Sequence, residues 1–404
     1  MPTILRDPDV LIRSDADWSL AKPDLTFISI DLKLGPTYAI KHTLQELGVR
    51  IIEKSLSPYC HITDTCSGLA IINQTSALRV TQTDGVAFWK RYRDDAEFQD
   101  ADGFICIHPV SLCELLMPFR KPVIMIVDDR YEVGRKQRDS WMLWNEHFLE
   151  LVEETDNVVV TTSAYDMEYV KYFTHVSLPV VPFACEYITE RYHPSLPSYL
   201  LMPINEDGFK DIILKRFRVE IETYDLNARL EYVFDLYGHS FKSNDLVKHA
   251  GLVVIPHQVS SLALTELRRL EIPLFLPTVE LLARWQVDFH LMNRSLHDSR
   301  QATNHGRQSP ILGAGGLPDP NDDVNQWAIG FWLTYCDYFS WPGVRYFNSV
   351  EDLASKLNST TGDDLYYANQ KARMFNVEEQ ANVYHFWRLA VDRLKAAKVK
   401  SVPA

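Results

Sequence analysis

Polar side chains follow several apolar runs in the amino-terminal half of the sequence. Asp31 and Gly35 follow the run LTFISI, His108 follows GFICI, and Arg130 follows PVIMIV with two acids in between. An imidazole titrates near neutral pH and can take a proton from a hydroxyl group, and a carboxylate can take the same role. His108 and Asp31 are therefore the candidate catalytic bases.

Each of these residues also has a structural interpretation. A histidine at the end of a buried strand is often packed and hydrogen-bonded, and Gly35 could let an anion approach the next helix or simply form a tight turn. Arg130 could hold a sugar hydroxyl or a phosphate, or it could pair with Asp129 or Glu132. Adjacent side chains of an extended chain point to opposite sides, so we expect at most one of Asp128 and Asp129 to face a ligand.

A second group of polar residues lies in the stretch HQVSSLALTELRRL, which follows the apolar run LVVIP. Ser260 or Ser261 is expected to begin a helix, and the first amides of a helix can bind a phosphate. Glu266 lies one or two turns into this helix, where a carboxylate can accept both hydroxyl groups of a ribose. The alternative is a solvated helix acid paired with Arg269.

The elements that must position these residues alternate between short apolar runs and amphipathic stretches, a pattern typical of parallel sheets covered by helices. In the first half we expect strands at 25–31, 49–55, 102–109, 121–129, 156–164 and 178–185. In the second half we expect strands at 198–204, 232–237, 252–256 and 272–277, and one that starts the segment 343–357. Long helices are expected at 206–219, at 326–341 and near the carboxyl terminus, and Ser349 is expected to cap a further one.

This pattern predicts an α/β protein with two doubly wound Rossmann-like domains that face each other across a cleft. A segment containing two prolines, residues 191–200, is the expected link. The predicted units are an acceptor domain at 1–195, a donor domain at 196–370 and a closing helix at 371–404. Ligands of open parallel sheets bind beyond the carboxyl ends of the strands, which is where the candidate residues stand.

The second half resembles the donor domain of GT-B glycosyltransferases. The resemblance rests on the order GHS, KHAGLVVIPHQVSSLALTELRRLEIPLFLP and VRYFNSVEDLASKL, followed by a long closing helix. The first half is similar to the acceptor domain of that family in architecture. By this resemblance the donor-binding residues would be Glu266 at the ribose, His257, Ser260 and Ser261 near the diphosphate, and Arg268.

Two features depart from the pattern of that family. The turn PHQVSS replaces the glycine-rich turn that is common at the donor diphosphate, and Glu266 has no second acid two turns further along its helix. These departures leave the stereochemical course of the transfer open.

The resemblance implies a glycosyltransferase that moves a sugar from a nucleotide-diphosphate donor to the hydroxyl group of a carbohydrate or other acceptor. Gly35 and Arg130 would contact the acceptor or a phosphate. Basic residues and helix amides would stabilise the leaving diphosphate, so we expect the nucleotide-sugar as co-substrate and no metal or other cofactor. Two alternatives remain, an epimerase-like enzyme that acts on nucleotide-sugars and a non-catalytic two-lobed ligand-binding protein.

Charge and motifs narrow the classes of partner. The formal net charge of −13 argues against nucleic acid or an anionic membrane surface as a partner. No apolar run approaches the roughly 20 residues of a spanning helix, and the first residues do not resemble a signal peptide. We therefore expect a cytoplasmic protein, with a lumenal domain of a secretory-pathway enzyme as the alternative. GxGxxG, P-loop and zinc-site spacings are absent.

Two further expectations concern a loop and the cysteines. Residues 298–323 are rich in Gly, Pro, Asn and Asp, so we expect a long loop or lid that orders on ligand binding. Cys60 and Cys66 could pair in an oxidising compartment. The other four cysteines lie in apolar or aromatic settings and are expected to be buried free thiols, namely Cys106, Cys113, Cys185 and Cys336.

Overall fold

The computed structural model describes residues 23–203, 208–227, 229–292 and 309–401 of the 404-residue chain. Within these ranges the strands form two sheets of five strands each, and the strands pair in parallel. The expected fold of two Rossmann-like α/β halves is confirmed by this architecture. No helix in the described ranges has the length and apolar character needed to cross a membrane.

The first sheet is built from the amino-terminal half. Its strands are β1 (Leu25–Ser29), β2 (Val49–Glu53), β3 (Gly103–Cys106), β4 (Val123–Val127) and β5 (Val158–Thr161), in the order β2-β1-β3-β4-β5. All residues of β3 and β4 are buried, because helices cover both faces of the sheet. This double burial explains why these strands read as continuous apolar runs rather than as alternating ones.

The second sheet is built from the carboxyl-terminal half. Its strands are β6 (Leu196–Leu201), β7 (Leu230–Tyr232), β8 (His249–Val253), β9 (Leu274–Pro277) and β10 (Arg345–Phe347), in the order β10-β9-β8-β6-β7. Counted from the first strand of each half, both sheets have the order second, first, third, fourth, fifth. In such a sheet the order in which strands are added reverses between the first and third strands, and ligands bind in the crevice at that point.

The helices alternate with the strands, as the sequence pattern predicts. Those of the first half are α1 (Leu34–Gln45), α2 (Gln82–Tyr92), α3 (Ala96–Asp100), α4 (Arg138–Glu153) and α5 (Ala164–Thr174). Those of the second half are α6 (Gly208–Ile221), α7 (Val233–Tyr237), α8 (Ser243–Leu246), α9 (Leu262–Arg269), α10 (Val279–Phe289), α11 (Gln326–Leu333) and α12 (Val350–Ser359), and the chain closes with α13 (Gly362–Ser401). Ser349 caps α12 by accepting from the amide of Asp352, as expected.

The closing helix α13 contacts both halves. In its first half, Asn369 donates to the carbonyl of Glu271 at 2.9 Å, and Glu379 pairs with Arg268. Further along, Tyr384 donates to Glu46 at 2.6 Å. The last turns reach the first sheet, where Arg393 donates to the carbonyl of Asn157 at 2.6 Å and Lys398 pairs with Asp102 at 2.9 Å. The helix therefore joins the two halves along its length.

The structure corrects three predicted elements. Residues 178–185 do not form a regular strand, and only an isolated bridge between Thr161 and Val180 joins them to the sheet. Pro179 and Pro182 explain this, since proline cannot donate to a sheet ladder. The predicted strand 232–237 is wrong after Tyr232, where α7 begins, and the aromatic helix 326–341 ends at Leu333.

The cysteine expectations are partly overturned. Cys60 and Cys66 form a disulfide within one loop. Cys106 and Cys113, which we expected to be free, are also paired. The chain turns back after β3 through the cis peptide between His108 and Pro109 into a short 3-10 helix, Val110–Leu115, which brings Cys113 beside the end of β3. Cys185 and Cys336 are buried and lie outside both disulfides.

Candidate active site at the domain cleft

One cavity lies between the two halves, at the carboxyl ends of both sheets. The open space within it, including the solvent at its mouth, is about 350 Å³. Asp128, Thr162 and Phe183 contribute from the first half. The second half contributes Val259, Ser260, Ser261, Leu262, Leu264, Thr265, Asp337, Tyr338 and Trp341. Half of the lining residues are polar or charged and half are apolar or aromatic, and Ser260 and Ser261 are among the polar ones.

Asp31 joins the ends of β1 and β3. Its carboxylate accepts the backbone amides of Lys33, Ile107 and His108, each at 2.9 Å, and the residue is only 2% exposed. Burial raises the pKa of Asp31 to about 7, against the lowering effect of the three amides. Because both oxygens are engaged by the backbone, this geometry gives Asp31 a structural role at the strand exits and does not add support for it as a base.

Lys33 lies between two carboxylates at the same strand edge. Its Nζ is 3.6 Å from an oxygen of Asp128 and 3.6 Å from one of Asp129. Both acids approach Lys33 because β4 ends at Val127 and strand alternation stops there, but Asp128 lines the cavity and Asp129 is not among the lining residues. Burial opposes the charge on Lys33, but the acids outweigh it and raise its pKa. Burial likewise raises the pKa of Asp128 to about 6, although Lys33 opposes the shift.

His108 is brought into this group by the turn after β3. It is 1% exposed, and its Nδ1 lies 3.9 Å from a carboxylate oxygen of Asp129. This arrangement can stabilise an imidazolium that has taken a proton, which is the requirement for a general base. Gly35 lies in the first turn of α1, two residues after Lys33, so it belongs to the same edge of the sheet.

Arg130 follows Asp129 in the chain, and its guanidinium group lies over an aromatic ring. Its guanidinium carbon is 5.2 Å from the centre of the Tyr169 ring, in cation–π range. Tyr169 donates a hydrogen bond of 2.8 Å to Glu132, and burial raises the pKa of Glu132 to about 7. Arg130 thus belongs to a small polar group that follows Asp128 in the chain, and it forms no ion pair with Asp129 or Glu132 in the described residues.

The second half brings a helix end to the cavity. Ser261 is the N-cap of α9 and makes no side-chain capping bond in the described structure. Ser260, Ser261, Leu262 and Thr265 line the cavity, so the first turn of α9 borders the space that a ligand would occupy. His257 lies in the turn after β8, at the reversal point of the second sheet, and is partly buried.

The side chains of Glu266 and Arg268, on the same helix, do not line the cavity. Glu266 is 1% exposed and accepts a hydrogen bond of 2.7 Å from Tyr187, and burial raises its pKa to about 8. It does not line the cavity, and the alternative of a solvated acid paired with Arg269 is wrong, because Arg269 bonds to α13. Arg268 also binds α13, through Asn376 at 3.0 Å and through Glu379.

Two acids join the halves across the cleft. Asp337, from the second half, accepts the amide of Ala164 at 3.1 Å at the start of α5, and burial raises its pKa to about 6. Asp166, on α5, accepts from Ser163 at 2.6 Å and interacts with Ser260, and burial holds its pKa well above the ordinary value. Sequence reasoning missed Asp337, because its partner lies 173 positions away and no local pattern marks the contact.

The described residues contain no group of three or more His, Cys, Asp or Glu side chains arranged to hold a metal ion.

Sequence comparisons find no relative, since no protein-family model and no curated protein matches the chain. Solved structures resemble it, and two of them are the following. A glycotransferase of kitacinnamycin is 13% identical over 93% of this chain and all of that one, with a TM-score of 0.44. The glycosyltransferase SnogD from Streptomyces nogalater is 12% identical over 90% of this chain and 99% of that one, with a TM-score of 0.46. These values are low, so we base function on this chain's own geometry.

Proposed function

We propose that the protein is a glycosyltransferase that moves a sugar from a nucleotide-diphosphate donor to an acceptor hydroxyl group. One observation carries the proposal. The carboxyl ends of two doubly wound parallel sheets meet at a single cavity, and each sheet contributes polar side chains to it. This arrangement lets one half hold a nucleotide while the other presents the second substrate at short range.

The donor side of this proposal is the first turn of α9. Helix amides carry partial positive charge, and Ser261 leaves this end without a side-chain cap among the described residues. A diphosphate placed there would gain hydrogen bonds from amides and from the hydroxyl groups of Ser260 and Ser261. The developing charge on the leaving group would be stabilised by the same donors, so the proposed transfer proceeds without a metal ion.

The acceptor side is the edge of the first sheet. The acceptor hydroxyl transfers its proton to His108, and Asp129 stabilises the imidazolium that forms. The acceptor oxygen then forms a bond to the anomeric carbon, while the bond from that carbon to the donor phosphate breaks. Asp31 holds the backbone of His108 in place through its amide, which makes Asp31 a positioning residue in this scheme.

A thermal-shift screen tests the proposal. UDP, GDP, ADP and their sugar conjugates are added to the full chain, and a nucleotide that binds the folded state should raise the unfolding midpoint. Thr265→Phe, which fills the cavity, should abolish that shift, whereas Ala263→Phe on the same helix should keep it. If no nucleotide changes the midpoint, or both variants respond like the parent, the donor site is wrongly placed.

Product analysis separates the alternatives. Loss of the sugar from a bound donor, with a glycosylated acceptor as product, supports the transferase. Conversion of the donor into its epimer without an acceptor would instead identify an epimerase-like enzyme. Saturable binding without any chemical change of the ligand would identify a two-lobed binding protein.

A further inference from the structure

A buried polar group a few residues after the cavity residue Asp128 has unused hydrogen-bonding capacity. The Nε and Nη2 atoms of Arg130 are buried and have no hydrogen-bond partner among the described residues. Oε2 of Glu132 is also buried and has no hydrogen-bond partner among the described residues, whereas Oε1 accepts a hydrogen bond from Tyr169. Glu132 is 8% exposed, so water has little access to the carboxylate.

Such atoms are uncommon in folded proteins, because a buried donor or acceptor without a partner destabilises the folded state. Here donors and an acceptor occur two residues apart in the chain, and Arg130 and Glu132 influence each other's charge without forming a bond. A ligand that accepts from Arg130 and donates to Glu132 would satisfy both side chains at once.

The charges around Arg130 favour a neutral ligand over an anion. Glu132 and Asp129 both act on Arg130 and both stabilise its positive charge. An added phosphate or carboxylate would face these acids as well as the guanidinium. Two neighbouring hydroxyl groups, in contrast, can accept from Arg130 and donate to Glu132 without adding charge.

Aromatic side chains border this group. Tyr169 lies under Arg130, Tyr165 stacks beside Tyr169 at 6.1 Å, and Trp332 of α11 meets the Tyr165 ring edge-on at 6.2 Å. The second half also reaches the group through Asn321, whose side-chain amide donates to the hydroxyl of Tyr169 at 3.0 Å. Asp319 holds the base of this segment by accepting from Ser309 at 2.6 Å.

We infer that Arg130 and Glu132 form the acceptor subsite of this protein and that the acceptor carries a vicinal diol, as a sugar or another polyol does. One hydroxyl accepts from Arg130 and the other donates to Glu132, while Tyr165 and Tyr169 provide the apolar wall. The segment Ser309–Asn321 closes over the bound diol through its contact with Tyr169. The assignment as acceptor rests on the proposed glycosyl transfer.

Saturation-transfer NMR on the full chain tests this subsite. The probes are the methyl glycosides of glucose, galactose and mannose, with glycerol and inorganic phosphate for comparison. At least one glycoside should bind, and phosphate should not displace it. Glu132→Gln keeps the shape but replaces the free acceptor by a donor, so it should weaken binding roughly ten- to hundredfold, and Arg130→Lys should do the same.

Glu168→Gln is the matched control, because it makes the same chemical change on α5, where the carboxylate pairs with Lys171 instead. This variant should bind the glycoside like the parent, and thermal melting of each variant shows whether it is folded. If no methyl glycoside binds, if phosphate takes its place, or if folded Glu132→Gln binds like the parent, the two side chains hold only a water molecule and the inference fails. Glycoside binding without any response to nucleotides would contradict the proposed glycosyl transfer but would still support the diol site.

Discussion

Replacing Glu266 by glutamine should change how stability depends on pH. Burial raises the pKa of Glu266 from its ordinary value of 4.5 to about 8. The unfolded chain therefore loses this proton above pH 4.5, while the folded protein keeps it until about pH 8. Between these values the unfolded state binds fewer protons, so the free energy of unfolding should fall as the pH rises.

The size of the effect follows from the pKa shift. Each pH unit contributes about 1.4 kcal/mol, so Glu266 lowers the free energy of unfolding by about 3 kcal/mol at pH 7 and by at most about 5 kcal/mol at pH 8 and above. Glutamine has nearly the same shape, stays neutral and can still accept from Tyr187. Its NH₂ group replaces an oxygen that is buried without a partner among the described residues, so little is lost at pH 5.

Urea unfolding at pH 5, 6, 7, 8 and 9 measures the effect. The difference in free energy of unfolding between Glu266→Gln and the parent should grow with pH up to about pH 8 and then level off. Glu280→Gln, at an exposed position of α10, is the control and should follow the parent at every pH.

A constant difference, or a variant that is less stable at every pH, would refute this account of Glu266. The same variant also tests the role expected from the sequence. If Glu266 binds the ribose, Glu266→Gln should in addition weaken nucleotide binding by roughly ten- to hundredfold.

Three more predictions concern the cleft. Asp31→Asn should lower the melting temperature, because a neutral amide replaces a carboxylate that accepts three backbone amides; an unchanged melting curve would contradict this. His108→Ala should lower turnover about 10²–10⁴-fold with nucleotide affinity nearly intact, and calorimetry beside a turnover assay separates the two; equal, small effects would mean that His108 is structural. Asp128 and Asp337 have pKa values of about 6, so nucleotide-sugar affinity measured by calorimetry should rise as the pH falls from 7.5 to 5.5; a constant affinity would place the diphosphate away from them.

Much of the fold could be predicted from the sequence, because each half repeats one local pattern. An apolar run bounded by turn residues and followed by an amphipathic stretch is decided within about 30 residues, and the strands and most helices follow from it. The failures lie where that local rule is overridden. Pro179 and Pro182 keep an apolar run out of the sheet, and Gly238, with φ of +69°, follows a helix and not the predicted strand.

Only the approximate positions of the site residues could be predicted, because these positions follow from where the strands end. His108 and Arg130 were expected at the end of the first sheet, and Ser260 and Ser261 at the end of the second, because parallel strands end together. Ser260 and Ser261 line the cavity, and His108 lies 3.9 Å from Asp129. The directions of side chains were not predictable in the same way. Glu266 points away from the cavity because its rotation about α9 depends on packing against Tyr187, a contact that spans 79 positions of the chain.

The 40-residue helix α13 has a consequence for how the cleft can open. At 1.5 Å per residue it is about 60 Å long, and a helix resists bending more than the loop that links the halves. Its early turns bind the second half, and its last turns bind the first half. A hinge motion that separates the two halves would therefore break one of these sets of contacts. Rotation of one half about the helix axis would break the contacts of that half with α13 in the same way. Substrate exchange is therefore expected to require that one of the two sets of contacts is released while the other holds.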